Sequence, residues 1–214
     1  MKRILCFGDS NTWGYIPGTG ERYAPDVRWT GVAQKLLGDD YLLIEEGLNG
    51  RTTMYPHPCK PWQTGIGSLE AILHSQKPID AMVLMLGTND LWRTDAFGAG
   101  EGIKYMLETI FQHHKTHRPI PESVFADEAR ILLVSPIEAH PVLNDHDGFW
   151  HRMAAEESRK FPRIFRKIAA DAGVDFLNAA EYAVPSAKDG VHMEADSHQR
   201  LGEAMAEKIR EMLG

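Results

Sequence analysis

Short, unbroken apolar runs alternate along the chain with segments of helical spacing. Ile4 to Phe7 is one such run and stops at Gly8; Tyr41 to Ile44, Ala81 to Leu86, Ile131 to Val134 and Val174 to Leu177 repeat the pattern. Runs of this length bounded by turn residues predict buried strands. Between them, Trp29 to Leu37 has helical spacing and closes at Gly38, where a glycine C-cap is expected. Gly67 to His74, Ile103 to His114 and Met153 to Ala172 predict further helices, the last closed by Gly173. Ser197 to Leu213 predicts a final helix with Leu201, Met205 and Ile209 on one face, at i, i+4 and i+8. Continuous apolar strands separated by helices indicate a parallel sheet covered on both faces. The expected fold is therefore one α/β domain over residues 1–214, a three-layer arrangement with a five-stranded parallel sheet and helices on both faces.

In such a sheet the ligand sits beyond the carboxyl ends of the strands. The first strand ends at Gly8-Asp9-Ser10-Asn11, the second leads to Gly47-Leu48-Asn49-Gly50, and the third ends at Gly87-Thr88-Asn89-Asp90. Polar, glycine-marked turns thus fall together on one rim. The longest irregular stretches are about residues 14–28, 50–64 and 136–150. Long loops on a compact domain are where function or subunit contacts concentrate.

Composition narrows the partners. The 214 residues are 43% hydrophobic and 25% charged, ordinary globular usage. Lys plus Arg is 23 and Asp plus Glu is 30, a net charge of -7, so neither nucleic acid nor an anionic membrane is an expected partner. Cys6 lies in an apolar run and Cys59 in a proline-flanked loop, too few cysteines for a disulfide framework. The apolar run at the N-terminus is interrupted at Gly8, too soon for a signal peptide, and no run approaches the length of a membrane span. A cytoplasmic protein is expected.

Ser10 follows a buried strand at a tight glycine turn, which would expose its hydroxyl on the rim. The alternative for this residue is a helix-capping serine. A serine hydroxyl is a weak nucleophile until a base removes its proton. Asp189-Gly190-Val191-His192, in the loop before the last helix, supplies a candidate base, His192, and a carboxylate, Asp189, to orient it. Gly50 can offer an unobstructed backbone N–H, and Asn89 a side-chain amide. With the N–H of Ser10 they would form an oxyanion hole, each donor worth roughly 3–4 kcal/mol in the transition state.

These blocks, Ser10 in Gly-Asp-Ser, Gly50 in Asn-Gly, Asn89 in Gly-Thr-Asn-Asp, and Asp189 with His192 in Asp-x-x-His, resemble those of the SGNH (GDSL) hydrolase superfamily, in its order. Longer stretches, Arg22 to Gly31, Glu45 to Thr53 and Met85 to Asp90, look like its bacterial arylesterase/acyltransferase branch. The resemblance implies a flavodoxin-like fold and a serine esterase for short-chain aryl and simple alkyl esters, with possible acyl transfer to alcohols or hydrogen peroxide. It implies no metal, no organic cofactor, and a homo-oligomer whose neighbouring loops narrow the site. Asn11 stands where the family's nickname has Leu, a position outside the catalytic donors, and residues 93–125 match no family block.

Trp13, Tyr15, Asn49, Trp92, Ile137, His140 and Val191 lie near the rim and are candidates for a small acyl and alcohol pocket, with loop packing as the alternative. His113, His114 and His117 include an i, i+4 pair but read as a solvated face, and Asn144 to Gly148 reads as a turn, since it lacks the acidic ends of a calcium loop. Competing functions are a carbohydrate O-acetylesterase, a lysophospholipase-type enzyme and a non-catalytic α/β binding domain. The last is disfavoured because every block residue is present.

Overall fold

The computed structural model describes residues 1–57, 59–114, 123–145 and 153–214. Five parallel strands, β1 (Lys2–Gly8), β2 (Tyr41–Gly47), β3 (Ala81–Met85), β4 (Ile131–Ser135) and β5 (Asp175–Asn178), form one sheet in the order β2-β1-β3-β4-β5. The strand order reverses between β1 and β3, so the loops after these strands diverge at their carboxyl ends, where sheets of this kind seat ligands. In register, Gly8 sits between Gly47 and Met85, which brings the three turns of interest side by side.

The alternation of β1 divides the core. Leu5 and Phe7 pack on the face covered by α3 (Gly65–Gln76), α4 (Ala96–His114) and α6 (Phe161–Ala172). Ile4 and Cys6 pack on the opposite face, under α2 (Trp29–Leu37) and α7 (Ala195–Leu213). Cys6 and Cys59 are unpaired, the first buried and the second exposed. Among the described residues no helix is long and apolar enough to cross a membrane.

Two elements depart from the periodicity. The helix expected over Met153 to Ala172 is two, α5 (Ala154–Ser158) and α6. Pro162 lies in the first turn of α6, and its ring is incompatible with a helix carrying on from the carbonyl of Ser158. Conversely, α4 begins at Ala96, well before Ile103, through a glycine-rich stretch that reads as a weak helix former. Its glycines are there for contact: a Cβ on Gly100 would meet Ile164 at 2.8 Å, and one on Gly102 would meet Thr53 Oγ1 at 1.8 Å. His113 is no merely solvated residue, since it bonds to His74 (3.1 Å) and Glu70 (2.8 Å) of α3. His117 and residues 146–150 of the loop predicted over 136–150 lie outside the described residues.

α2 and α7 pack closely on each other. The first N–H of α2, on Trp29, has no cap from its own segment and donates to Nδ1 of the buried His198 of α7 at 3.3 Å. Burial lowers the His198 pKa to about 4, so the ring stays neutral and able to accept. Gly202 of α7 lets the helices meet: a Cβ there would sit 2.7 Å from the Trp29 carbonyl oxygen and 2.6 Å from the Val32 Cβ. Gly202→Val should therefore destabilise the fold by about 1–3 kcal/mol, read as a thermal midpoint lowered by several degrees. An unchanged midpoint would show that this contact is not tight in solution.

Candidate active site

Gly8 closes β1 with no room for a side chain; a Cβ would lie 2.1 Å from Thr12 Oγ1 and 3.1 Å from the Met85 carbonyl. The turn feeds α1 (Ser10–Trp13), a single turn of helix. Asp9, not Ser10, caps it: Asp9 Oδ1 accepts from the Asn11 N–H at 2.9 Å. Ser10 is the first helical residue, its hydroxyl free for other partners.

The second component arrives from the loop between β5 and α7. Asp189 Oδ1 accepts from the backbone N–H groups of Val191 (3.1 Å) and His192 (3.0 Å), and Gly190 takes φ +76°, so the loop doubles back on itself. Asp189 Oδ2 accepts from His192 Nδ1 at 2.8 Å, and His192 Nε2 lies 2.9 Å from Ser10 Oγ. A carboxylate at Nδ1 fixes the ring proton there and leaves Nε2 as an acceptor for the serine hydroxyl. Burial pushes the Asp189 carboxyl up, but its hydrogen bonds from His192 and Val191 outweigh this and hold it at about 2.

The third component is the turn after β2. Gly50 takes φ +75°, which favours glycine, and a Cβ on it would lie 2.3 Å from Gln63 Nε2 and displace that side chain. The turn is tied to the end of β1, because Leu48 N–H and Arg51 Nη1 both donate to the Gly8 carbonyl, at 3.1 and 2.9 Å. Asn89 is buried in the turn after β3, and its Nδ2 donates to the Arg51 carbonyl at 3.1 Å. That bond occupies one of the two amide hydrogens. Thr53 and Asp90 join the same turns, with the Thr53 N–H donating to Asp90 at 3.0 and 3.1 Å.

The remaining rim candidates separate. Tyr15 stacks on the His192 ring, centroids 4.1 Å apart, and Gly18 N–H donates to Asp189 Oδ2 at 3.0 Å, so the segment after α1 folds over the Asp–His pair. Trp13 lies under the Arg22 guanidinium at 5.1 Å. The Asn49 carbonyl accepts from Gln63 Nε2 at 2.7 Å, and Trp92 ends the turn that carries Asn89. The His140 N–H donates to the Gly190 carbonyl at 2.8 Å and so props the His192 loop. Ile137 is buried in the core beneath the sheet rim, and Val191 packs with Ala139 and Leu143. Sequence reasoning overlooked Arg51, Gln63, Gly18 and the side chain of Asn11, whose partners are distant in sequence.

The GDSL-like lipase/acylhydrolase family model matches residues 6–200. The chain superposes on the native aryl esterase of M. smegmatis with a TM-score of 0.86 and 32% identity, over 99% of this chain and 100% of that one. It superposes equally on a carbohydrate acetylesterase from Sinorhizobium meliloti, with a TM-score of 0.87 and 30% identity over 99% of both chains. No curated protein sequence matches it.

Asp9 is buried at 2% exposure, and burial raises its pKa to about 6, against opposing effects of the Asn11 N–H, His192 and Arg51. A carboxyl raised in the folded state adds stability that is complete below its unfolded pKa of about 4 and is lost as pH rises through about 6. Asp9→Asn keeps an oxygen for the helix cap and removes the titration. The thermal midpoint of this variant should fall less steeply than that of the wild type between pH 4 and pH 7; parallel curves would refute the assignment.

Proposed function

The chain belongs to the GDSL-like lipase/acylhydrolase family, and on that footing we propose that it is a serine esterase for short-chain aryl and simple alkyl esters. The observation that carries the reading is the continuous hydrogen-bonded chain from Ser10 Oγ through the His192 ring to Asp189, at 2.9 and 2.8 Å. Ser10 Oγ attacks the ester carbonyl carbon as His192 Nε2 takes its proton. The oxyanion accepts from the N–H groups of Ser10 and Gly50 and from the Asn89 amide. His192 then gives the proton to the leaving alcohol oxygen, and the C–O bond breaks to leave an acyl-serine. Water loses a proton to His192, attacks the acyl carbon and releases the acid, while Ser10 regains its proton. An alcohol in place of water gives a new ester, and hydrogen peroxide gives a peracid.

Tyr15 against the imidazole, with Trp13 beside it, supports a narrow acyl site. A carbohydrate O-acetylesterase is the second reading, favoured by the equal likeness to the Sinorhizobium meliloti enzyme. The decisive experiment is hydrolysis of p-nitrophenyl acetate and octanoate by wild type and Ser10→Ala, with and without a simple alcohol. Acetate should turn over faster than octanoate, the variant should lose on the order of 10³-fold or more in kcat, and added alcohol should yield its acetate ester. A variant as active as wild type ends the serine mechanism. Faster turnover of an acetylated monosaccharide than of the aryl acetate would move the assignment to the second reading.

We further propose a homo-oligomer, supported by Trp62, which is 62% exposed in the loop after Gly50. Light scattering should give a multiple of the chain mass; the mass of one chain would end this proposal.

A further inference from the structure

We propose that Asn11 is a positioning residue that sets the separation of Ser10 and His192, an inference that rests on the serine-esterase reading above. The Asn11 side chain is 3% exposed. Its Nδ2 donates to the Val191 carbonyl at 3.1 Å, and its Oδ1 accepts from the Met193 N–H at 3.1 Å. The two partners flank His192 on either side. One planar amide therefore grips the histidine's backbone as a neighbouring strand would, a donor against a carbonyl and an acceptor against an N–H.

The other end of the grip is equally fixed. Asn11 follows Ser10 directly, and its own N–H is bound to Asp9 Oδ1 in the first turn of α1. The path from the Ser10 backbone to the His192 backbone is one peptide unit, one side-chain amide and one peptide unit. Asp189 cannot set this distance. It sits three residues before His192 and holds the ring from the same loop, so loop and ring would move together. The Ser186 N–H bond to the His192 carbonyl (2.7 Å) and the His140 N–H bond to the Gly190 carbonyl (2.8 Å) hold the loop to segments other than the nucleophile turn. Gly18 and Tyr15 do cross from the first segment, but Gly18 is exposed and Tyr15 partly so, whereas both Asn11 bonds are buried away from water's competition.

Leucine at this position has similar size and neither donor nor acceptor. It would leave the Val191 carbonyl and the Met193 N–H buried without partners, and the loop would have to shift to satisfy them. A shift of about 1 Å between reacting groups is enough for a roughly 100-fold loss of rate.

The test is a cycle of Asn11→Leu, His192→Ala and the double variant, assayed on p-nitrophenyl acetate with circular dichroism as the check on folding. Asn11→Leu should lower kcat by about 10- to 100-fold with KM within about twofold, and its effect should shrink to less than about twofold when His192 is already alanine. Asn11→Asp, which keeps the acceptor but sets a carboxyl oxygen against the Val191 carbonyl, should also lower kcat with KM within about twofold, and it carries the test if the leucine variant fails to fold. Wild-type kcat in a folded Asn11→Leu protein overturns the proposal. So does a double variant in which the two losses multiply, since the asparagine would then act elsewhere than through His192. If His192→Ala alone keeps wild-type activity, the serine mechanism itself falls, an outcome distinct from either.

Discussion

The guanidinium of Arg51 is buried against the ring of Phe7, 4.0 Å from its centroid, and its Nη1 donates to the carbonyl oxygens of Gly8 and Glu46. Its backbone carbonyl accepts the amide of Asn89. A single residue therefore joins the ends of β1 and β2 to the turn after β3. The ladder brings the three strand ends side by side, but the turns beyond them leave the sheet, and their mutual geometry rests on contacts outside the ladder. A buried cation costs several kcal/mol in lost hydration, which only good hydrogen bonds and nearby negative charge offset. Burial lowers the Arg51 pKa to about 10, opposed by Glu46 and Asp9, and it stays charged at neutral pH. Fixing Gly8 on one side and Asn89 on the other is what this arrangement gives in return.

The carboxyls on this rim show how environment separates like groups. Asp9 neighbours Ser10 in sequence, yet it is fully enclosed and burial raises it to about 6. Asp189 retains partial exposure and receives four donors, the N–H groups of Gly18, Val191 and His192 and the His192 ring. It therefore remains ionised, and only an ionised carboxylate can stabilise an imidazolium as it forms. Asp90 takes a third course. It lies wholly within the protein, and burial raises it to about 7 despite hydrogen bonds from Thr53. Its work is to bind the segment after Gly50 to the turn of Asn89.

Much of this was legible in the sequence, for reasons the structure makes plain. Strands buried on both faces must be apolar throughout, as β3 and β4 are, and the edge strands β2 and β5 keep a short apolar run between polar ends, so all five declared themselves. The turns at their ends need glycine for steric reasons, at Gly8 and at Gly50, so the rim declared itself too. The unreadable parts obey no period. The α5–α6 break depends on a proline ring meeting a carbonyl four residues back. The early start of α4 depends on glycines that serve contact with Thr53 and Ile164 at the expense of helix propensity. Asn11 departs from the pattern in the family's nickname and sits between Ser10 and no visible partner. Its role shows only when residues 191 and 193 fold beside it, 180 and 182 positions away.

The His192 ring is constrained on independent axes. Asp189 fixes its rotation about the side-chain bonds, Tyr15 covers one face at 4.1 Å, and Asn11 holds the backbone on both sides. Each contact removes a different freedom, and none substitutes for another. An imidazole with its orientation fixed but its backbone loose would still sample positions out of reach of the serine hydroxyl. One with its backbone fixed but its ring free would present the wrong nitrogen. The proton transfer proposed for this site demands that all these coordinates be correct at once, and the entropy of fixing them is met on folding. The contacts come from segments at opposite ends of the chain, and the parallel sheet brings those segments together by setting β1 between β2 and β3, within reach of the loop that precedes α7.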